Sequence, residues 1–348
     1  MCGINGYFGN FDLGLIGRMN GVISHRGPDD KGEYFDREHG LALGHLRLSI
    51  VDLTSAGHQP MISSCGRVAM VYNGEMYNFT GIKSKLERLG HVFKGHSDSE
   101  VLLNAFLEWG TDCFKMFNGI FSVAFWDKKK KSLILARDGM GVKPLYIGKT
   151  PKGIIFSSEM KAILCERSFD RTLNFTAVAQ HLTFLYAAGG NTVLKNVNRL
   201  AAGSFVEYCK NKEPVVKSFY NPPYGVVNKN ISEADAVSSV RTVLKTAVER
   251  QMVADVEVGA FLSGGLDSSS IVAFARDLVG KPLNCFTIDY NATKSGDQEM
   301  VSDLPYARMA AKALDVNLHE VSVGPEMINR LPEMIYHLDE PVADPAIL

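Results

Sequence analysis

Ser263-Gly264-Gly265-Leu266-Asp267-Ser268-Ser269 joins a strand-like apolar run, Val256 to Leu262, to a helix-like run beginning near Ser268. Two glycines let a backbone turn tightly and approach an anion closely. The serine hydroxyls and the first helical N–H groups then point at one spot, where the helix dipole favours negative charge. Asp267 sits badly beside a bare phosphate, so its presence implies an intervening Mg2+. The lysine of G-x-x-x-x-G-K-[ST] is missing, and the stretch does not read G-x-G-x-x-G. A glycine-rich turn with serine and aspartate caps would read the same way. The strand before it and the helix after it are the context that phosphate binding requires.

Outward from this loop, strands and helices alternate. Ser232 opens a long helix with Val237, Val240, Leu244, Ala247 and Val248 on one face. Strands follow at Val256 to Leu262, Cys285 to Asp289 and His319 to Val323, with a helix at Tyr306 to Leu314. This rhythm predicts an α/β doubly wound parallel sheet. Upstream, Asn221 to Asn230 contains Pro222, Pro223 and Gly225 and reads as a linker. The first half groups strands (Leu41 to Asp52, Arg67 to Tyr72, Phe121 to Trp126, Leu133 to Arg137) with helices at Phe79 to Leu89 and Ser97 to Trp109. Grouped strands and helices predict an α+β layer structure. The expected boundaries are a first domain at 2–215, a linker at 216–231 and a second domain at 232–348.

The chain opens Met1-Cys2-Gly3-Ile4. Loss of Met1 would put a thiol and a free amine on one residue. An α-amine titrates at about 7.7–8.0 and a thiol at about 8.5, so the amine can serve as a local base. Such a nucleophile carries its own base. Cysteine in second place can also be an accident of sequence.

Composition narrows the class. The 348 residues exceed a typical single domain. A hydrophobic fraction of 46% and a charged fraction of 22% are those of an ordinary globular protein. A net charge of −1 gives no reason to expect nucleic acid or an anionic membrane as partner. The basic run Lys128 to Lys131 reads as a solvated hairpin turn. Six scattered cysteines without a C-x-x-C pair argue against a zinc site and a disulfide framework, and suit a reducing cytoplasm. No apolar run is long enough to span a bilayer, and no basic leader precedes an apolar stretch.

Taken together, the motifs carry a resemblance. Ser263 to Ser268 resembles the S-G-G-x-D-S signature of PP-loop ATP pyrophosphatases. Cys2-Gly3-Ile4 resembles the start of class II glutamine amidotransferases, which are N-terminal nucleophile hydrolases. Both on one chain, in this order, resemble the glutamine-hydrolysing asparagine synthetase family. Further matching segments are His25-Arg26-Gly27-Pro28-Asp29, Gly44 to Ile50, Tyr72-Asn73-Gly74-Glu75 and Ser97-Asp98-Ser99-Glu100. Arg137-Asp138, Lys143 to Tyr146 and Ser158 to Ala162 continue the match. The resemblance implies an αββα sandwich followed by a Rossmann-like PP-loop domain.

It also implies roles. Cys2 would attack the side-chain amide of glutamine, releasing ammonia. Asn73 and the Gly74 N–H would form the oxyanion hole. Arg47 would clamp the α-carboxylate, with Leu48 and Ile50 lining the site, and Asp98 would pair with the α-ammonium, with Glu75 helping to position the substrate. Ser263, Gly264, Gly265, Asp267, Ser268 and Ser269 would hold the ATP phosphates, with Mg2+ on Asp267. Leu262 and Ile288 would frame the adenosine. Ammonia would cross an apolar passage to attack an acyl-adenylate of an acidic acceptor, aspartate being favoured. A homodimer is the assembly expected. Singly, each residue has a plainer reading. Asp98 suits the first turn of any helix, Arg47 could be a surface cation, and Asn-Gly is a common hairpin pair. His25 reads as structural support, since the base for Cys2 is already supplied.

Two departures stand out. The acidic loop S-G-[DE]-G-x-D-E is absent, so a C-terminally truncated synthetase domain is expected. Gly139 stands where relatives often carry a larger residue. Two alternatives to asparagine formation remain at this point: amidation of another carboxylate, such as a sugar acid in surface-polysaccharide assembly, and a glutaminase feeding ammonia to a partner. A non-catalytic binding module is disfavoured, because binding would not need the nucleophile.

Overall fold

The computed structural model describes residues 1–290 and 303–341. The chain divides into two compact units. One comprises Met1–Tyr224 together with the segment that starts at Ile335, and the other comprises Gly225–Met334.

The first unit begins with β1 (Gly3–Gly9), α1 (Leu15–Val22), β2 (Asp30–Asp36) and β3 (Leu41–Arg47). A two-residue β4 (Met61–Ile62) leads to β5 (Val68–Met76), α2 (Phe79–Arg88) and α3 (Asp98–Trp109). Then come β6 (Gly119–Asp127), β7 (Ser132–Arg137), β8 (Tyr146–Thr150), β9 (Gly153–Ser157) and the single turn α4 (Met160–Ile163). The set closes with α5 (Phe175–Phe184), β10 (Val197–Arg199), β11 (Ser204–Cys209) and β12 (Val215–Ser218). Two six-stranded sheets result, ordered β10-β8-β9-β1-β3-β2 and β12-β11-β7-β6-β5-β4.

Alternation along the strands builds four layers. Ile4, Leu41, Leu43, Val71, Trp126 and Leu135 pack between the sheets. Their neighbours Tyr7, Ala42 and Leu46 face Ile16 and Met19 of α1 and Met160 of α4. Met70, Tyr72, Val123 and Phe125 face Ile82 of α2 and Leu102 of α3. Central strands are therefore apolar on both sides, and all seven residues of β3 are buried. The first unit is the αββα sandwich of the N-terminal nucleophile class. It takes in β12, so the expected linker start at 216 falls within a strand and the unit continues to Tyr224.

In the second unit, α6 (Glu233–Gln251) precedes β13 (Ala260–Phe261), α7 (Leu266–Arg276), β14 (Asn284–Tyr290), α8 (Leu304–Leu314) and β15 (Asn317–Val323). Helix α9 (Leu331–Leu338) follows and runs past the unit boundary. Ser232 caps α6 by accepting from the Asp235 N–H at 3.1 Å. The sheet is parallel, ordered β13-β14-β15, as the alternating rhythm predicts. Its core is Val248, Leu262, Val272, Leu283, Cys285 and Ala311. Two details differ from the sequence reading. The strand expected at Val256 to Leu262 pairs only at Ala260 and Phe261, because its neighbour β14 begins at Asn284 and, in the register that sets Ala260 beside Cys285, leaves the residues before Gly259 without a facing strand. Of the apolar face of α6, Val237, Val240 and Leu244 stay exposed among the described residues, and only Val248 is buried.

Candidate active site

Cys2 directly precedes β1, and Arg47 ends β3, which pairs with it antiparallel through Gly3 and Leu46. Both therefore lie at one end of the first sheet. Asn73 and Glu75 lie near the end of β5 in the facing sheet. Strand alternation turns Cys2 (with Ile4), Arg47 (with Leu43) and Asn73 and Glu75 (with Val71) towards the space between the sheets. His45 ties the two ends together, its Nε2 lying 3.0 Å from the Tyr72 carbonyl. The ring is fully enclosed, and burial pulls its pKa down to about 4, so it stays neutral.

The Cys2 thiol lies 3.4 Å from the Leu48 N–H and 3.5 Å from the Leu48 carbonyl. Burial pushes the thiol up, against the pull of the Leu48 amide and the chain-terminal ammonium. Glu75 and Asp98 are close enough for their charges to raise it further. Arg26 Nε donates to the Cys2 carbonyl at 2.9 Å and fixes the backbone from behind. Met1 is 59% exposed, and its amine is held below its ordinary value, chiefly by burial.

Asn73 is 1% exposed, yet neither its amide nitrogen nor its oxygen has a partner. A buried unpaired amide is costly, at about 1–3 kcal/mol, and calls for a ligand or water. Asn73 and Gly74 do not form the turn that their pairing suggests. They continue β5, opposite Ser122 and Phe121 of β6. Gly74 is required there, since a β-carbon would lie 2.4 Å from the Ile120 carbonyl oxygen.

Asp98 opens α3 behind Ser97, whose side chain caps the helix by accepting from the Glu100 N–H at 3.3 Å. The Asp98 carboxylate takes the Tyr72 hydroxyl at 2.8 Å and the Met76 N–H at 2.9 Å. Burial nevertheless raises it above the ordinary range, against those hydrogen bonds. Glu75 is raised too, up to about 8, first through burial and then through the charge of Asp98. Lys143 opposes that shift and is itself lowered by burial. The result is a pair of carboxyls, Asp98 buried and Glu75 half-buried, with Lys143 as the cation that opposes the Glu75 shift.

The Arg47 guanidinium is buried and donates to the carbonyls of Asp52 and of Thr54, the latter at 2.9 Å. Two of its five N–H groups are thus engaged in the loop after β3. Leu48 and Ile50 are half-buried beside it. His25 bonds Glu159 at 3.0 Å. Tyr72, Arg26 and Lys143 have no role in the sequence reading although each lies inside a matching segment. Their signal is the company they keep, a tyrosine beside Asn73 and a basic residue four positions after Gly139. The space at Gly139 is filled by the Tyr220 ring, 2.7 Å from where a β-carbon would stand.

The second unit brings the loop residues together as well. Gly264 has φ +82°, and a β-carbon there would meet the backbone of Tyr306 at 2.3 Å. The Ser263 and Ser268 hydroxyls are 3.0 Å apart, and Ser268 donates to the Gly265 carbonyl at 3.2 Å. The Ser269 hydroxyl is buried without a partner. Asp267 is exposed in the first turn of α7. Leu262 follows β13 and is buried, whereas Ile288 is 41% exposed on β14. No cluster of three or more potential metal-binding side chains occurs among the described residues. No helix among them is long and apolar enough to cross a membrane.

Residues 1–220 match the family model described as a glutamine amidotransferase domain, and residues 239–348 the one described as asparagine synthase. The chain is 32% identical to asparagine synthetase [glutamine-hydrolyzing] 1 of Bacillus subtilis, covering 100% of this chain and 54% of that relative. It is also 32% identical to asparagine synthetase [glutamine-hydrolyzing] 3 of the same organism, covering 98% of this chain and 56% of the relative. The chain thus spans about half the length of these curated relatives. Among solved structures, a glutamine phosphoribosylpyrophosphate amidotransferase from B. subtilis aligns over 92% of this chain and 65% of its own, at 16% identity and a TM-score of 0.48.

Proposed function

Because this chain belongs to the glutamine amidotransferase family and continues into an asparagine synthase-type domain, we propose that it is a glutamine-dependent amide ligase that makes asparagine from aspartate. Cys2 is the nucleophile, once Met1 is removed. Its own amine takes the thiol proton, and the thiolate attacks the side-chain amide of glutamine to give a thioester and ammonia. Asn73 Nδ2 and the Gly74 N–H receive the developing oxyanion. Arg47 binds the α-carboxylate through the guanidinium edge that the loop carbonyls do not take. Asp98 pairs with the α-ammonium, and Glu75 helps to position the substrate. Leu48 and Ile50 line the site.

The observation that carries this reading is the Asn73 amide, enclosed and unpartnered on the strand face turned towards the first sheet. The test is glutamine hydrolysis followed by ammonia release. Cys2→Ala should abolish it, and intact mass should find Cys2 as the first residue of the active protein. Activity in a chain that still carries Met1 would defeat the self-base mechanism.

In the second domain, expected at 232–348, Ser263 to Ser269 cradle the pyrophosphate of ATP, with Leu262 and Ile288 beside the adenosine. The unpartnered Ser269 hydroxyl and the tight approach at Gly264 support this. One exposed carboxylate, Asp267, fits Mg2+ as that ion is usually held, by one or two carboxylates and the nucleotide's own oxygens. The metal would neutralise phosphate charge there. Activation would transfer AMP from ATP to the acceptor carboxylate with loss of pyrophosphate, and ammonia would then attack the acyl carbon and expel AMP. A sugar acid remains the second choice of acceptor, and a panel of acids tested with ATP, glutamine and the full-length gene product distinguishes them. A cytoplasmic setting belongs to this reading and agrees with six unpaired cysteines.

A further inference from the structure

Cys2 is held from behind by a row of buried charges that ends far along the chain. Arg26 grips the Cys2 carbonyl with Nε and gives Nη1 to Glu159 Oε1 at 2.8 Å. The second oxygen of Glu159 takes the Lys161 ammonium. Lys161 in turn meets Asp339 Oδ1 at 2.9 Å. Asp339 Oδ2 also accepts from the Met160 N–H at 2.6 Å, at the start of α4. All four side chains are at least nine-tenths buried. Two guanidinium or ammonium cations face two carboxylates, and His25 Nε2 also lies 3.0 Å from Glu159 Oε1. The strand leading into it is anchored on β1, where Ile4 and Ser158 exchange two hydrogen bonds at 2.9 and 3.0 Å.

We propose that Asp339, acting through Lys161, Glu159 and Arg26, is a positioning residue for Cys2, so that the nucleophile is set for hydrolysis only when residues 335–341 are docked on the first unit. The inference rests on the glutaminase reading above. Its physical basis is charge balance. Removing one member of a buried ion set leaves its partner uncompensated, and the remaining charges rearrange. Without the Asp339 charge, Lys161 has Glu159 as its one counter-ion and draws it away from Arg26. The grip on the Cys2 carbonyl then loosens. Glutamine's own contacts, at Arg47 and Asp98, are on other elements and are left intact. Burial pushes Asp339 up, whereas its ion partners hold Glu159 below the ordinary range, so the set is electrostatically tight near Glu159 and most easily broken at Asp339.

The experiment compares the wild-type chain with Asp339→Asn, Lys161→Met, the double variant and Lys161→Arg. Two readouts are taken: the kinetics of glutamine hydrolysis, and the rate at which iodoacetamide alkylates Cys2, followed by peptide mass. Each of the first two variants should lower kcat about tenfold with KM within twofold, and should speed Cys2 alkylation at least threefold. A thiol freed from its setting is more accessible but worse placed. The double variant should be no worse than either single, and Lys161→Arg should restore most of kcat. Unchanged kcat or unchanged alkylation in both single variants would overturn the proposal, as would losses that multiply in the double. If both single variants alkylate the buried Cys113 and Cys285, the pair serves the fold and the proposal also falls. A wild-type chain that hydrolyses no glutamine defeats the glutaminase reading alone, because the alkylation rates still report on the row.

Discussion

At the residue scale, the proposed hydrolysis turns on one asparagine and one pair of carboxyls. Replacing Asn73 by alanine removes one oxyanion donor and should cost about 3 kcal/mol, or roughly 10²-fold in kcat, with KM for glutamine little changed. Steady-state kinetics checks this. Glu75, with a pKa of about 8, is largely protonated at neutral pH in the free protein. A bound ammonium favours the carboxylate, so glutamine binding should release a proton near pH 7, and affinity should rise between pH 6 and 8. Calorimetry in buffers of different ionisation enthalpy measures the release, and Glu75→Gln should abolish it. The same shift acts on stability with a definite sign. Between about pH 4.5 and 8 the folded protein keeps a proton that the unfolded chain has lost, so Glu75 contributes less to stability as pH rises through that window. At this scale the sequence was most informative for residues that stand in short matching runs, namely Cys2, Asn73, Asp98 and the Ser263 loop. It was silent on Arg26 and Glu159, which lie 133 positions apart and meet only through folding.

The strands and helices were legible to different degrees, for physical reasons. Helix α2 follows from apolar spacing, and α3 and α6 from apolar spacing with serine caps, and they appear within a residue or two of where the pattern puts them. Strand β5 reads short in the sequence because Asn73-Gly74 is a turn signal. Pairing with β6 overrides that local preference and carries the strand on to Met76. The proposed oxyanion donors are therefore part of a paired strand and not of a loop. Gly74→Ala should accordingly damage the element: the added carbon meets backbone oxygen, which cannot rotate away. A loss of about 1–3 kcal/mol is expected, seen as a lower Tm with kcat falling alongside. Strand β13 errs the other way. Valines at 256 and 258 promise a longer strand than the neighbouring β14, which begins at Asn284, can pair with.

Across the whole molecule, the first unit is discontinuous. It is built from residues up to 224 and then again from Ile335 onward, with the second unit's residues in between. Nothing in composition or periodicity marks Asp339 as a member of the first unit. The linker-like stretch after Asn221 suggests the opposite, a clean division between two consecutive domains. A chain ended at Tyr224 should keep its two sheets, read by circular dichroism, and lose kcat for glutamine hydrolysis about as far as Asp339→Asn does. An uncleaved N-terminal tag should silence hydrolysis by a different route, by blocking the amine, with KM-type binding of glutamine preserved in calorimetry. The discontinuity also has a consequence during synthesis. A ribosome adding about 5–20 residues per second delivers Asp339 roughly 6 to 23 seconds after Tyr224. Throughout that interval the nascent sandwich holds Lys161 against Glu159 alone, and the newborn enzyme waits for its last counter-ion to leave the exit tunnel.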